Sequence, residues 1–212
     1  MECAICHTRR PRRFCPGVRG DICSICCGSE REVTVSCPLD CEYLREARRH
    51  EKPLPLDPEQ IPNRDIKVSE EFLDGHVALV ETLANAMADA ASRIPGAVDT
   101  DARDAVKGLI RTYRTLESGV YYASRPESIL AAGIFDAAQE AVSGFQREER
   151  QDTGLTRTRD SDVLKALVFL ERIGIDRNNG RPRGRAFIDA LRQFYAGGDS
   201  PEPAASDSLI LP

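Results

Sequence analysis

All eight cysteines of this 212-residue chain lie within its first 41 residues, and no other feature constrains the fold as strongly. They are Cys3, Cys6, Cys15, Cys23, Cys26, Cys27, Cys37 and Cys41. Eight thiolates match the ligand sets of two four-coordinate zinc ions, which can fold a segment too short for a hydrophobic core of its own. The sequence therefore predicts a small metal-binding module over residues 1–50.

The spacing of the cysteines divides them into two groups. Two Cys-x2-Cys pairs separated by 16 residues have the spacing of a zinc ribbon, and we assign them to site 1: Cys3, Cys6, Cys23 and Cys26. The remaining four form site 2: Cys15, Cys27, Cys37 and Cys41. An exchange of Cys23, Cys26 and Cys27 between the sites stays open. The segment from Cys37 to Cys41 is predicted to open a helix, which places both cysteines on one helix face.

Other uses of the cysteines explain the pattern less well. The N-terminus has neither a basic n-region nor an apolar h-region, so we expect a cytoplasmic location, where thiols stay reduced. The run from Cys3 to His7 matches the attachment motif of c-type haem, which requires export and leaves six cysteines unexplained. The compact cysteine run of ferredoxins is absent. We therefore predict two structural zinc ions with no open ligand position, and we expect His7 and His50 to be bystanders.

The cysteine pattern over about the first 50 residues resembles that of cross-braced zinc fingers, and it is broadly similar to the ribbon, RING, HIT and MYND types. The resemblance implies a surface that binds protein, as in cross-brace families, or sometimes nucleic acid, as in ribbons. The whole layout, with a finger, a proline-rich spacer and a helical domain, resembles that of a group of bacterial proteins. It implies no particular activity.

A short basic strip lies between the two Cys-x2-Cys pairs and consists of Arg9, Arg10, Arg12 and Arg13. We expect these arginines to neutralise the thiolate centres through N–H···S contacts, and nucleic-acid contact is the alternative. The whole chain carries a net charge of −5, which disfavours a general nucleic-acid or membrane coat. When both sites hold zinc, the negative charge of the eight thiolates exceeds the positive charge of the two ions. The module itself is then slightly negative.

The rest of the chain has helical periodicity. Four prolines mark residues 51–63 as an extended linker, and residues 199–212 are predicted to be a disordered tail. Between them, residues 64–198 repeat apolar positions three and four residues apart. We predict five helices, near 70–94, 101–124, 130–145, 160–174 and 183–197. The predicted fold is thus mainly α, a cysteine-rich double-zinc module followed by an antiparallel bundle of about five helices.

The connection between the last two predicted helices is rich in arginine over Arg177–Arg185. The segment 157–185 has eight basic and four acidic residues, and a helix start follows it. One hypothesis is that Arg181, Arg183 and Arg185 bind a phosphate-bearing partner. The other is that these arginines pair with acids of the first three helices.

The sequence contains none of the motifs of a nucleophile elbow, a zinc protease, a phosphate-binding loop or a dinucleotide fold. We therefore expect a non-catalytic zinc-binding protein that acts as a protein-interaction or adaptor module. The alternative is a nucleic-acid-associated regulator that uses the strip Arg9–Arg13 and the loop Arg177–Arg185. No apolar run is long enough for a membrane span, and the sequence does not determine an oligomeric state.

Overall fold

The computed structural model describes residues 2–51, 59 and 61–194. The predicted tail 199–212, the end of the predicted bundle after residue 194 and most of the predicted linker lie outside the described residues. Within them, eight helices and one two-stranded sheet are present. The mainly α fold with an N-terminal cysteine cluster is therefore confirmed.

The N-terminal module contains all the strand structure of the described residues. Strand β1 (Arg13–Cys15) pairs antiparallel with β2 (Gly20–Ile22), and helices α1 (Ser24–Glu30) and α2 (Glu42–Arg49) follow. Helix α1 begins at Ser24, directly after Cys23. The Cys23 side chain caps the helix, because it accepts a hydrogen bond from the Cys26 backbone N–H. The hairpin and this cap bring Cys15 of β1 and Cys27 of α1 to the same pocket.

Helix α2 begins later than the sequence predicts. Pro38 is compatible with the first position of a helix, but residues 37–41 contain a turn here and no helix. The Cys41 N–H instead closes a turn on the Pro38 carbonyl at 3.1 Å, and Cys41 becomes the N-cap of α2. The prediction that Cys37 and Cys41 share a helix face is wrong, since both precede the helix.

The bundle is built from six helices within the described residues rather than about five: α3 (Glu70–Gly75), α4 (Val77–Arg93), α5 (Asp99–Glu117), α6 (Ile129–Thr153), α7 (Asp160–Asp176) and α8 (Ala186–Gln193). The extra helix arises because the first predicted helix breaks at His76. The His76 ring stacks on Phe72 with the ring centroids 4.3 Å apart, and its Nδ1 lies 2.8 Å from the Phe72 carbonyl oxygen. These contacts fold the side chain back against α3, and α4 starts anew after it.

Helix α5 ends at Glu117, before the predicted end near residue 124, and the chain then returns along the same helix. Gly119 adopts a φ of 77°, which lets the chain reverse. The Ser124 N–H donates to the Thr112 hydroxyl at 2.9 Å. The returning backbone passes so close to Gly108 that a Cβ there would lie 2.6 Å from the Ser124 carbonyl oxygen.

Helices α4 and α5 form the centre of the bundle. Helix α4 packs against α6 and α8, and α5 packs against α6 and α7. The apolar stripes that predict these helices line one continuous core, and Leu39 of the N-terminal module is buried in that same core. The module and the bundle therefore share a hydrophobic core.

The N-terminus of α8 binds an anionic group, as helix N-termini often do, and this group is a carboxylate of the protein itself. The Asp99 carboxylate at the start of α5 accepts hydrogen bonds from the backbone N–H groups of Phe187 and Ile188, both at 3.0 Å. Burial raises the pKa of Asp99, and these two N–H groups oppose the rise. The end of the arginine loop is thereby fixed to α5.

Candidate metal centre

The four cysteines of site 1 converge on one point. The Sγ atoms of Cys3, Cys6, Cys23 and Cys26 all lie within 4.8 Å of one another. Four sulfurs that ligate one zinc ion lie about 3.8 Å apart, as Zn–S bonds of about 2.3 Å in a tetrahedron require. The arrangement therefore needs little adjustment to hold a metal ion, and the predicted grouping of these four cysteines matches the structure.

Local backbone geometry aims these sulfurs inward. The turn after Cys3 closes with a hydrogen bond of 2.9 Å from the His7 N–H to the Cys3 carbonyl, and His7 takes a φ of 51°. The Cys23 N–H points at the Cys3 sulfur at 3.2 Å, and the Cys26 N–H points at the Cys23 sulfur at 3.4 Å. Such donors stabilise thiolate, the form that binds metal.

The four thiols do not release their protons equally. Burial acts to raise the pKa of Cys3, but the backbone N–H groups of Cys6, Cys23 and Ile5 outweigh it and lower the pKa to about 6. Burial and the neighbouring sulfurs raise the pKa of Cys26 to about 12. Four thiolates this close repel one another, so a bound cation is what makes full deprotonation favourable.

Two arginines of the basic strip lie beside cysteine sulfurs. A hydrogen bond to Cys23 and the nearby charge of Cys6 raise the pKa of Arg9. Arg13 Nη1 lies 3.9 Å from Cys27 Sγ, and Arg31 Nη2 lies 3.8 Å from the same sulfur. The predicted N–H···S contact is therefore seen at Arg13, and Arg31 adds a contact with the same sulfur that the sequence did not indicate.

The four cysteines of site 2 line one small pocket: Cys15, Cys27, Cys37 and Cys41. The pocket has a volume of about 20 Å³, with Arg13, Arg31 and Tyr43 among its other walls. This volume suffices for one water-sized sphere and is of the order that a single ion needs. Among the described residues, only the site 1 cysteines have all their Sγ atoms close enough to one another to bind one ion. The Sγ atoms of site 2 are more widely spaced.

The structure also places the residues whose assignment was open. Cys23 and Cys26 belong with Cys3 and Cys6, whereas Cys27 faces the second pocket. His7 is exposed, and the His50 ring lies 3.2 Å from a Glu46 oxygen. Neither histidine is part of the site 1 cluster.

Glu32, which the sequence analysis did not single out, is fully buried at the junction of the module and the bundle. Its carboxylate accepts hydrogen bonds from Arg48 Nη2 at 2.8 Å, Asn179 Nδ2 at 2.9 Å and the Arg185 N–H at 2.9 Å. Its carbonyl accepts from the Arg183 N–H at 2.8 Å. One residue of the module thus binds several groups of the 179–185 segment.

A second carboxylate completes the charge balance at this junction. Arg48 also pairs with Asp189 of α8. Burial acts to lower the pKa of Arg48, but the Glu32 and Asp189 carboxylates raise it above the usual value. Arg48 therefore stays charged between two acids, one from the module and one from the bundle.

Two of the three candidate arginines of the loop donate to the module, and the third lies against the bundle. Arg181 donates to the Arg31 carbonyl at 2.9 Å and pairs with Glu51 at 3.2 Å. Arg183 Nη1 donates to the Ser36 hydroxyl at 2.8 Å. Burial lowers the pKa of Arg185, whose Nη2 lies 3.5 Å from the Ala91 carbonyl oxygen.

These contacts differ from both expectations about the loop. The groups that bind the guanidiniums are mostly carbonyls, a hydroxyl and an acid of the N-terminal segment, and they are not acids of the first three predicted helices. Binding of an external anion at Arg181, Arg183 and Arg185 stays a prediction. An anion that bound there would compete with contacts that already join the two parts of the chain.

Comparison of the chain with protein-family models, curated proteins and solved structures finds no match. The geometry of the cysteines and of the junction is therefore the basis for the functional argument. Among the described helices, none combines the length and apolar character that crossing a membrane requires.

The buried position of Glu32 generates a stability prediction. Glu32→Gln removes the buried carboxylate that accepts from Arg48, Asn179 and the Arg185 N–H, while Asp189 still pairs with Arg48. Weakening these buried hydrogen bonds lowers the free energy of unfolding by about 1–3 kcal/mol. The matched control is Glu46→Gln, at an exposed acid that pairs with Arg49, which should change stability by less than about 0.5 kcal/mol. Urea denaturation of the metal-loaded proteins measures both. Equal effects of the two variants would contradict the role assigned to Glu32.

Proposed function

We propose that this chain is a non-catalytic zinc-binding protein in which two structural zinc ions build a protein-interaction or adaptor module. The convergence of four buried or half-buried sulfurs at site 1 carries the proposal. Four cysteine ligands complete a tetrahedral zinc site and leave no position for a substrate or an activated water. A closed site of this kind contributes folding energy rather than catalysis.

Zinc suits the site better than other metals. Thiolate ligands in a tetrahedral arrangement are typical of zinc or of iron–sulfur clusters, and two Cys-x2-Cys pairs 16 residues apart form zinc ribbons. A cytoplasmic location is part of the proposal, because thiols there stay reduced and available for metal.

The second zinc ion belongs to site 2. Its four cysteines share one pocket of about 20 Å³, and two guanidiniums lie beside Cys27. Positive charge gathered at one sulfur supports a site whose ligands are thiolates. Binding requires the four sulfurs to move closer together, and Cys37 and Cys41, which lie outside any helix, can move with a turn rather than with a rigid element.

The adaptor role rests on how the module is held and on what the bundle exposes. The module is fixed to the bundle by the Glu32 contacts and by Leu39 in the shared core, so the two present surfaces in a fixed orientation. On the bundle, Val120, Tyr121 and Tyr122 form a run of large side chains that are 61–67% exposed. Tyrosines exposed next to an aliphatic residue are typical of protein interfaces, which supports a protein partner.

Metal content tests the zinc proposal. Native mass spectrometry with elemental analysis should find two zinc ions per chain. Cys6→Ser should remove the ion of site 1 and Cys41→Ser the ion of site 2, because each loses one of four ligands. His50→Ala, the control at a histidine close to the cysteines, should retain both ions. Iron or no metal in the purified protein would overturn the proposal, and a wild-type chain with one zinc ion that Cys41→Ser fully retains would remove site 2.

Partner binding tests the adaptor role. A protein partner purified on the intact chain should remain bound at 0.5 M salt, because apolar contacts are not screened. The double variant Tyr121→Ala/Tyr122→Ala should weaken binding of that purified partner by about tenfold or more, as the loss of aromatic interface residues does. Leu155→Ala, at a similarly exposed apolar residue in another loop, is the control. Unchanged affinity in the double variant would show that this run of side chains is not the interface.

A further inference from the structure

The segment from Arg9 to Arg19 concentrates positive charge. It contains five arginines and no acidic residue. Two of them lie near the cysteines, since Arg9 is close enough to Cys23 and Cys6 for these thiols to raise its pKa, and Arg13 Nη1 lies 3.9 Å from Cys27 Sγ. The other three are Arg10, Arg12 and Arg19.

These three arginines are exposed. The hydrogen bonds and ion pairs among the described residues involve none of their guanidinium groups. They are thus distinct from Arg9 and Arg13, which lie near the cysteine sulfurs. The three free guanidiniums are available for a partner with negative charge.

An aromatic ring lies among these charges. Phe14, in β1, is 61% exposed, which is unusual for a phenylalanine in a strand. The Arg12 N–H donates to the carbonyl of Ile22, the residue that pairs with Arg13, at 2.9 Å and so ties Arg12 to β2. Arg12 and Phe14 are both exposed, whereas Arg13 and Cys15 are half-buried, so Arg12 and Phe14 face solvent together.

We propose that this hairpin surface, formed by Arg10, Arg12, Phe14 and Arg19, binds single-stranded nucleic acid. The guanidiniums contact backbone phosphates, and the Phe14 ring stacks on an unpaired base. A single strand fits better than a duplex, because paired bases cover their faces and offer no partner for the ring. The inference goes beyond the adaptor role and uses a different surface from Val120–Tyr122.

The loop arginines are not part of this surface. Arg181 and Arg183 donate to the module, and the Arg185 side chain is largely buried against the bundle. The chain as a whole is acidic, with a net charge of −5, so we expect binding to be local and sensitive to salt. Three phosphate contacts give a slope of log affinity against log salt of about −2, which is about a 20-fold loss of affinity between 50 and 200 mM salt.

Fluorescence anisotropy of the full chain tests the proposal, with labelled 12-nucleotide strands of deoxythymidine and of uridine as probes. Wild-type protein should bind both, with the salt dependence given above. A 12-base-pair duplex of the same length should bind more weakly at equal salt. Duplex binding as tight as single-strand binding would contradict the stacking of Phe14 on a base.

Variants separate the two contributions. The triple variant Arg10→Ala/Arg12→Ala/Arg19→Ala should lose at least tenfold in affinity and most of the salt dependence. Phe14→Ala should lose about fivefold or more while its salt slope stays unchanged, and Phe14→Tyr should retain affinity because its ring still stacks. The control triple Arg93→Ala/Arg111→Ala/Arg147→Ala removes three exposed arginines of the bundle.

Several results would overturn the proposal: no binding at 50 mM salt, equal losses in the two triple variants, or equally tight binding of a 12-residue glutamate peptide. The last result would identify an acidic protein segment as the ligand instead. Zinc content and far-UV circular dichroism are measured on each variant to recognise a failure to fold. If Phe14→Ala does not fold, Phe14→Tyr decides whether the ring stacks on a base. If the protein holds two zinc ions and binds no strand, this inference is refuted and the zinc proposal stands. If it binds the strand but holds no zinc, the zinc proposal is refuted and this inference stands.

Discussion

The contact between the cysteine module and the bundle is organised around one buried carboxylate, that of Glu32. A carboxylate is favourable in a site without solvent only where donors surround it. Arg48 supplies the opposite charge, and Asn179 and the Arg185 N–H supply hydrogen bonds. Because Asn179 and Arg185 lie in the loop before α8, this side chain joins the cysteine module to the bundle, together with the Arg48–Asp189 pair and Leu39.

The position of Glu32 in the chain links this junction to the metal centre. Glu32 lies between Cys27 and Cys37, two of the proposed ligands of site 2, and adopts a φ of 53°. A left-handed backbone at a residue other than glycine persists only where its surroundings hold it. A zinc ion at the proposed site 2 would fix both ends of this segment and hold the Glu32 carboxylate toward the loop. The proposed metal would then support the packing of α8 through Glu32.

Patterns close together in the chain predicted much of this. The Cys-x2-Cys spacing predicted the site 1 cluster, and apolar periodicity predicted the bundle, because both signals are local. The late start of α2 was not predictable from the sequence, because Pro38 suits the first turn of a helix as well as a tight turn. The Glu32 junction could not, since residues 32, 48, 179 and 185 are distant in sequence and an acid beside an arginine is usually solvated. The same holds for the contact of Asp99 with the start of α8. The preference of helix N-termini for anions predicted that an anion would bind there, but it did not predict that the anion is a side chain of this chain.

Hydrogen exchange of the Arg183 and Arg185 amides tests the central claim, that metal in the cysteine module holds the bundle loop in place. Both amides donate to Glu32, one to its carbonyl and one to its carboxylate. The account predicts that a chelator which removes zinc accelerates their exchange by tenfold or more, while core amides of α5 such as Leu109 keep their protection. Unchanged protection at residues 183 and 185 in metal-free protein would contradict it.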